Sequence, residues 1–176
     1  MMKLNFKNTF ASAAILTSMS IAATSAYAQS AVEPWTGAIP GDTVYFANND
    51  GLKQIRSMLN DGEIDKAVTF AKAYVQSSEA DSRSGKTSSM RYDAYNALCL
   101  AYTAQKNYDA AKEACNTAIK DTPNGWLAYN SRGSLNLKMG NASEANNDYR
   151  MALENAPEKG DIKIILEHNI NLAQNQ

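Results

Sequence analysis

The chain has 176 residues, of which 44% are hydrophobic and 20% are charged. These fractions are typical of a globular domain and exclude a disordered or fibrous chain. The formal net charge is −1 and no stretch of the sequence is strongly basic. Nucleic acid is therefore excluded as a partner, because phosphate binding depends on clustered Lys and Arg.

Residues 1–28 have the pattern of a cleaved signal peptide. Lys3 and Lys7 form a short basic start, a moderately apolar run follows, and Ala26-Tyr27-Ala28 provides small residues before the cleavage point. A transmembrane anchor is the competing interpretation, but serines and threonines interrupt the apolar run well short of the roughly 20 residues of a span. We expect export to the periplasm, with secretion as the other destination, and no stable membrane insertion after cleavage.

An extended lead-in is expected over residues 29–47, because Pro34, Pro40 and Gly41 disfavour a helix. Trp35, or Tyr45 with Phe46, is expected to pack on the first helix pair. A helical domain should then cover residues 48–176.

Two helical units follow each other at residues 92–125 and 126–159. They are aligned by pairs of matching residues, each 34 positions apart: Tyr95 and Tyr129, Asn96 and Asn130, Ala111 and Ala145, Ala118 and Ala152, Pro123 and Pro157. Within each unit, apolar residues recur at helical spacing on both sides of a polar break at Asn107 or its counterpart. Each unit is therefore predicted to be a pair of antiparallel helices, of which the first pair ends at Pro123.

Three further segments complete the helical domain. Residues 48–77 are predicted to be a degenerate copy of the unit, because aligning Ala67 with Ala111 gives helix, turn and helix. Residues 78–91 have the polar composition of a loop. Residues 160–174 are predicted to be a helix that caps the apolar end of the stack.

The two clear units resemble the tetratricopeptide repeat family, whose pattern is W-x2-L-G-x2-Y, then A-x3-F, then proline. The first unit matches it as Tyr95-x2-Leu98-Cys99-x2-Tyr102, Ala111-x3-Cys115 and Pro123. The second matches as Tyr129-x2-Arg132-Gly133-x2-Asn136, Ala145-x3-Tyr149 and Pro157. The resemblance implies an all-α fold, a short α-α superhelix of about two and a half repeats plus the capping helix.

Cys99 and Cys115 are the only cysteines. Each lies eight residues from the turn at Asn107, so folding the hairpin brings them level on facing helices, within reach of a disulfide. Two buried free thiols and a redox-active pair remain the alternatives. Arg132 is expected to pair with Asp148 on the facing helix, with a solvent-exposed arginine as the alternative.

The family resemblance also implies a binding surface, since its ligands contact set positions on the first helix of each repeat. Those positions are Asp93, Asn96, Leu100, Thr103 and Ala104 in one unit, and Leu127, Asn130, Ser134, Leu137 and Lys138 in the next. Of these, Asn96, Leu100, Thr103, Asn130, Ser134, Leu137 and Lys138 are the predicted partner-binding residues. Exposed polar positions without a binding role are the alternative interpretation.

We therefore expect a non-enzymatic scaffold or adaptor of the cell envelope that binds a protein or peptide segment in the concave face of the repeats. We expect no cofactor, no metal and no catalytic residue. The alternative is a thiol-based redox protein, or another enzyme, that uses Cys99 or Cys115 with His168, the single histidine. The partner and the oligomeric state are left open by the sequence.

Overall fold

A computed structural model describes residues 32–35, 44–47, 49–83 and 89–176. The predicted leader, residues 1–28, lies outside the described residues. In chain order the elements are β1 (Val32–Trp35), β2 (Val44–Ala47), α1 (Asp50–Asn60), α2 (Ile64–Arg83), α3 (Ser89–Gln105), α4 (Tyr108–Asp121), α5 (Trp126–Lys138), α6 (Ala142–Asn155) and α7 (Gly160–Gln174). The body of the protein is thus all-α, with one short β-ribbon before it.

Local signals set the ends of the helices. The Asn49 side chain accepts a hydrogen bond from the Leu52 amide at 3.0 Å and begins α1. Gly62 and Gly140 have positive φ angles in the turns after α1 and α5, a backbone conformation that glycine adopts without strain. The predicted break at Asn107 is confirmed, since Asn107 is the N-cap of α4.

Consecutive helices pack against each other from α1 to α7, and α3 also packs against both α1 and α5. The connections from α3 to α4 and from α5 to α6 are only a few residues long, so the helices of each pair run antiparallel. Small residues line the contacts: Ala97, Ala101, Ala111, Ala118, Ala145 and Ala152 are fully buried. They allow the close helix packing that larger side chains would prevent.

The structure differs from the predicted loop over residues 78–91. Helix α2 continues to Arg83 and α3 already begins at Ser89. The polar composition reflects a largely solvent-accessible stretch of helix rather than irregular backbone, since Ser78 is the one buried residue of the range 76–81. Ser78, the buried member of this stretch, donates its hydroxyl proton to the Val75 carbonyl at 2.8 Å.

The hairpins α3–α4 and α5–α6 differ in the pair of residues that joins their two helices at equivalent positions. Gly133 lies against the ring of Tyr149, and a Cβ added at Gly133 would lie 2.6 Å from that ring. The residues 34 positions earlier are Cys99 and Cys115, which the structure joins as a disulfide with Cα atoms 5.1 Å apart. A covalent bond thus stands in the first hairpin where a glycine meets an aromatic ring in the second.

The two strands form an antiparallel ribbon before the helices. Val32 pairs with Ala47 and Trp35 pairs with Val44. Strand β2 packs against α1, α3 and α5. The side chains of both strands lie outside what the structure describes. The expected packing of Trp35, or of Tyr45 with Phe46, on the first helix pair therefore stays a prediction.

Within the described part of the chain, every helix is too short or too polar to cross a membrane.

Candidate binding face

One side of α3 and one side of α5 contact α2, α4 and α6, which we call the even-numbered helices. On α5, Arg132 and Asn136 bond to Asp148 of α6, and Gly133 contacts Tyr149 of α6. On α3, Tyr95 bonds to Glu79 of α2 and Cys99 is joined to Cys115 of α4. These contacts fix the rotation of both helices about their axes.

The 3.6-residue period of a helix then gives the residues on the opposite side of α3 and α5. We call this surface the odd-helix face. It consists of Asp93, Ala97, Leu100 and Ala104 on α3 and of Leu127, Ser131, Ser134 and Lys138 on α5.

Much of the odd-helix face is covered. Ala97, Leu100, Ser131 and Ser134 have no exposed surface, and Leu127 is 6% exposed. Asp93, Ala104 and Lys138 are half-buried. The even-numbered helices lie on the other side, whereas β2 packs against α1, α3 and α5. Ala97 and Leu100 belong to a core cluster that includes Leu52, Ile55 and Leu59 of α1, and α1 also packs on α3. Neighbouring helices therefore contribute to this cover, besides the extended strand β2.

The structure places three of the predicted partner-binding residues in internal contacts instead. The Asn130 Oδ1 atom accepts a hydrogen bond from the Asn169 side chain of α7 at 3.0 Å. The Thr103 hydroxyl donates to the Cys99 carbonyl at 2.8 Å. Leu137 packs in a core cluster at the α6–α7 end. The contacts of Asn130 and Leu137 depend on how α7 docks, which the sequence pattern does not specify. The Thr103 bond is instead a local bond within α3, of the kind that threonine makes to the carbonyl four residues earlier in a helix.

The other four predicted residues divide into two groups. Ser134 and Lys138 lie on the odd-helix face, and so does Leu100, which is fully buried in a core cluster with residues of α1 and α2. Asn96 is 2% exposed, and its Oδ1 atom is buried without a hydrogen-bond partner.

Ser131 belongs to the odd-helix face and was not among the predicted site residues. It lies four residues after Leu127 and three before Ser134, so helical spacing alone could have identified it. The Ser131 and Ser134 hydroxyl oxygens are both buried and have no hydrogen-bond partner. Such groups are uncommon in folded proteins, since an unsatisfied buried hydroxyl costs about 1–3 kcal/mol.

Asp93 gives the odd-helix face its acidic group. Burial raises the pKa of the Asp93 carboxyl from 3.8 to about 6. Asp93 in turn contributes to the raised pKa values of Tyr74 and Tyr92, for which burial is the larger cause. The charge of this face therefore changes in weakly acidic solution.

The cysteines lie inside the protein, away from the odd-helix face. Cys99 and Cys115 both have zero exposed surface. His168 is an exposed residue of α7, the helix that packs on α6, whereas the cysteines lie between α3 and α4. Among the described residues, no three His, Cys, Asp or Glu side chains converge in a metal-binding arrangement.

The predicted pair of Arg132 and Asp148 is confirmed and is part of a larger network. Arg132 donates from Nε and Nη2 to the two oxygens of Asp148, at 3.0 and 2.6 Å. Asn136 donates to the same carboxylate at 2.9 Å, and Arg132 Nη1 donates to Asn116 of α4 at 2.7 Å. Arg132 and Asn136 thus share one acceptor, the Asp148 carboxylate.

No protein-family model matches this chain, and no curated protein matches it either.

Proposed function

We propose that this protein is a non-enzymatic scaffold of the tetratricopeptide type that binds a segment of another protein on the odd-helix face. Support for the repeat comes from the 34-residue period together with equivalent contacts in two hairpins, Cys99 with Cys115 and Gly133 with Tyr149. In this arrangement α1 and α2 are the degenerate repeat. Helix α7 caps the end, with Ile162, Ile165 and Leu166 buried.

The observation that carries the binding proposal is the position of β2. It is an extended strand, and its main helix contacts are with α1, α3 and α5. The odd-helix face thus has a shape that accepts extended chain. Surfaces of stacked helices bind partner segments in this way when the segment is accessible and the surface is free.

The cell envelope is the proposed location, on two grounds. The leader pattern of residues 1–28 predicts export. A disulfide between Cys99 and Cys115 suits an oxidising compartment such as the periplasm, where such bonds persist. The thiol-redox alternative has less support, because a reactive sulfur must be accessible and both cysteines are fully buried.

The test is capture of a partner by matched variants. Lys138→Glu and Ala104→Arg change half-buried positions of the odd-helix face, so both should fold. Lys112→Glu is the control, because it makes the same charge change as Lys138→Glu at an exposed residue of α4. Each purified, tagged protein is incubated with an envelope fraction, and bound proteins are identified by mass spectrometry.

We expect wild type and Lys112→Glu to enrich the same protein, and both face variants to lose it at unchanged helical content by circular dichroism. Equal enrichment by all four proteins would place binding elsewhere and refute the proposed face. Enrichment of nothing by wild type would refute the binding function.

A further inference from the structure

We propose that β2 is a built-in competitor for the odd-helix face, and that a partner binds by displacing it with an extended segment of its own. This inference rests on the proposed binding function. It adds that the face is closed in the free protein and that the partner's recognised segment has the form of a strand.

The first support is the weak attachment of the ribbon. It has two strands of four residues each, paired from Val32–Ala47 to Trp35–Val44. A two-stranded ribbon is marginally stable in water, so it depends on packing against the helices. Releasing β2 therefore costs the contacts with α1, α3 and α5 and leaves the helical core intact.

The second support is the short tether. Strand β2 ends at Ala47 and α1 begins at Asp50. A link this short gives the strand an effective concentration on the order of millimolar at the face. A free partner must overcome that local concentration, so the strand lowers the partner's apparent affinity even if its own contacts are poor.

The third support is a pair of buried, unsatisfied hydroxyl groups on the odd-helix face. The Ser131 and Ser134 hydroxyls are buried without a hydrogen-bond partner, so the resident arrangement leaves two polar groups unsatisfied. They lie three residues apart on α5, about 4.5 Å along the helix axis. A partner segment whose main-chain or uncharged polar groups reach both hydroxyls would gain hydrogen bonds that the resident arrangement lacks. This difference in satisfied groups gives the partner an advantage over β2.

The experiment weakens the β-ribbon without substituting any residue of the odd-helix face. In an antiparallel ladder only alternate residues of a strand donate to a given neighbour. Tyr45→Pro and Phe46→Pro, made separately in the full chain, therefore include at least one variant that loses a ladder hydrogen bond, and proline also disfavours a paired strand. Phe46→Leu is the control that keeps the strand.

The probe is a fluorescent peptide with the protein's own sequence 42–49, DTVYFANN. Its binding is measured by fluorescence anisotropy, with a scrambled peptide as the second control. We expect at least one proline variant to bind the probe tenfold or more tightly than wild type and Phe46→Leu do, and Lys138→Glu added to that variant to weaken binding. Equal affinity for wild type and both proline variants would overturn the proposal, as would no binding by any of them.

A second measurement does not depend on the variants. Hydrogen exchange of the β1 and β2 amides in the wild-type protein should quicken when excess probe peptide is added, because displaced strands lose their ladder bonds. Unchanged exchange at saturating probe contradicts displacement. The proposed binding function and the proposed role of β2 can fail separately. If the variants bind the probe but no envelope protein is captured, β2 competes for the face and the scaffold function is refuted. Capture that the proline variants do not strengthen refutes the competitor alone.

Discussion

Arg132 of α5 and Asp148 of α6 form a two-point ion pair in which Nε and Nη2 meet the two carboxylate oxygens at 3.0 and 2.6 Å. Asp148 is 5% exposed and also accepts from Asn136. The arginine thus satisfies a carboxylate that the surrounding helices have removed from water.

Breaking this pair from either side should destabilise the protein. Asp148→Ala removes the acceptor that Arg132 and Asn136 share and leaves Arg132 bonded to Asn116 alone, and Arg132→Leu leaves the buried carboxylate with Asn136 as its donor. We expect each to lower the free energy of unfolding by about 2–4 kcal/mol in urea titrations. The double variant Arg132→Leu with Asp148→Leu should lose less than the sum, because no buried charge is left unpaired. Unchanged stability in both single variants would show that the pair is unimportant.

Gly133 should tolerate no side chain. Gly133→Ala would place a Cβ 2.6 Å from the Tyr149 ring, so the ring must move within a packed core. We expect a loss of about 1–3 kcal/mol, although alanine is otherwise the better helix former. Gly160→Ala is the matched control, since nothing lies within 4 Å of its Cβ. It should be neutral or slightly stabilising in thermal melts, and similar losses at both positions would contradict the packing account.

Tyr92 should stabilise the start of α5 through its hydroxyl. The Ala128 amide donates to the Tyr92 hydroxyl oxygen at 3.0 Å, and the N-cap residue Gly125 has no side chain to do so. Tyr92→Phe should cost about 1–2 kcal/mol in unfolding free energy, because a buried amide loses its acceptor. Tyr108→Phe, on α4, is the control and should cost less than about 0.5 kcal/mol. The account is wrong if both variants unfold at the same urea concentration.

The disulfide should contribute substantially to stability. Replacing Cys99 and Cys115 together by alanine should lower the unfolding free energy by about 3 kcal/mol, since a closed loop of this length restricts the unfolded chain. Adding reductant to denatured wild-type protein before refolding should reproduce the loss. Mass spectrometry of the exported protein without reductant gives the direct check: two free thiols would contradict the bond.

Asp93 should make stability depend on pH. Its pKa is about 6 in the folded protein and 3.8 without burial. The folded state therefore binds more protons between these values, and stability falls as pH rises from 4 to 6. Asp93→Asn should remove this slope and raise stability at pH 7 by about 1–2 kcal/mol, after allowance for partial exposure. Asp109→Asn, at an exposed position of α4, is the control; parallel pH profiles for wild type and Asp93→Asn would refute the effect.

The features predicted from sequence share one physical basis, which is local periodicity. The turn at Asn107, the facing positions of Cys99 and Cys115 and the pairing of Arg132 with Asp148 follow from the 3.6-residue helical period and the 34-residue repeat. These relationships lie within one hairpin, where the register is set by a short turn.

The features not predicted depend on contacts between distant segments. The bond from Asn169 to Asn130 requires the docking of α7 on α5, which no repeat position specifies. The packing of β2 on three helices joins segments with no common pattern. The continuation of α2 to Arg83 was missed for another reason, because polar residues are equally compatible with a loop and with the exposed side of a helix.

We propose that the odd-helix face binds an extended segment of a partner. It is tested most directly by placing a photo-crosslinking amino acid at Lys138, on that face, and in a matched variant at Lys112, on α4. After irradiation of cells that export each variant, we expect a discrete adduct of higher mass from position 138 and none from position 112. The same adducts from both positions, or none from position 138, would contradict the account.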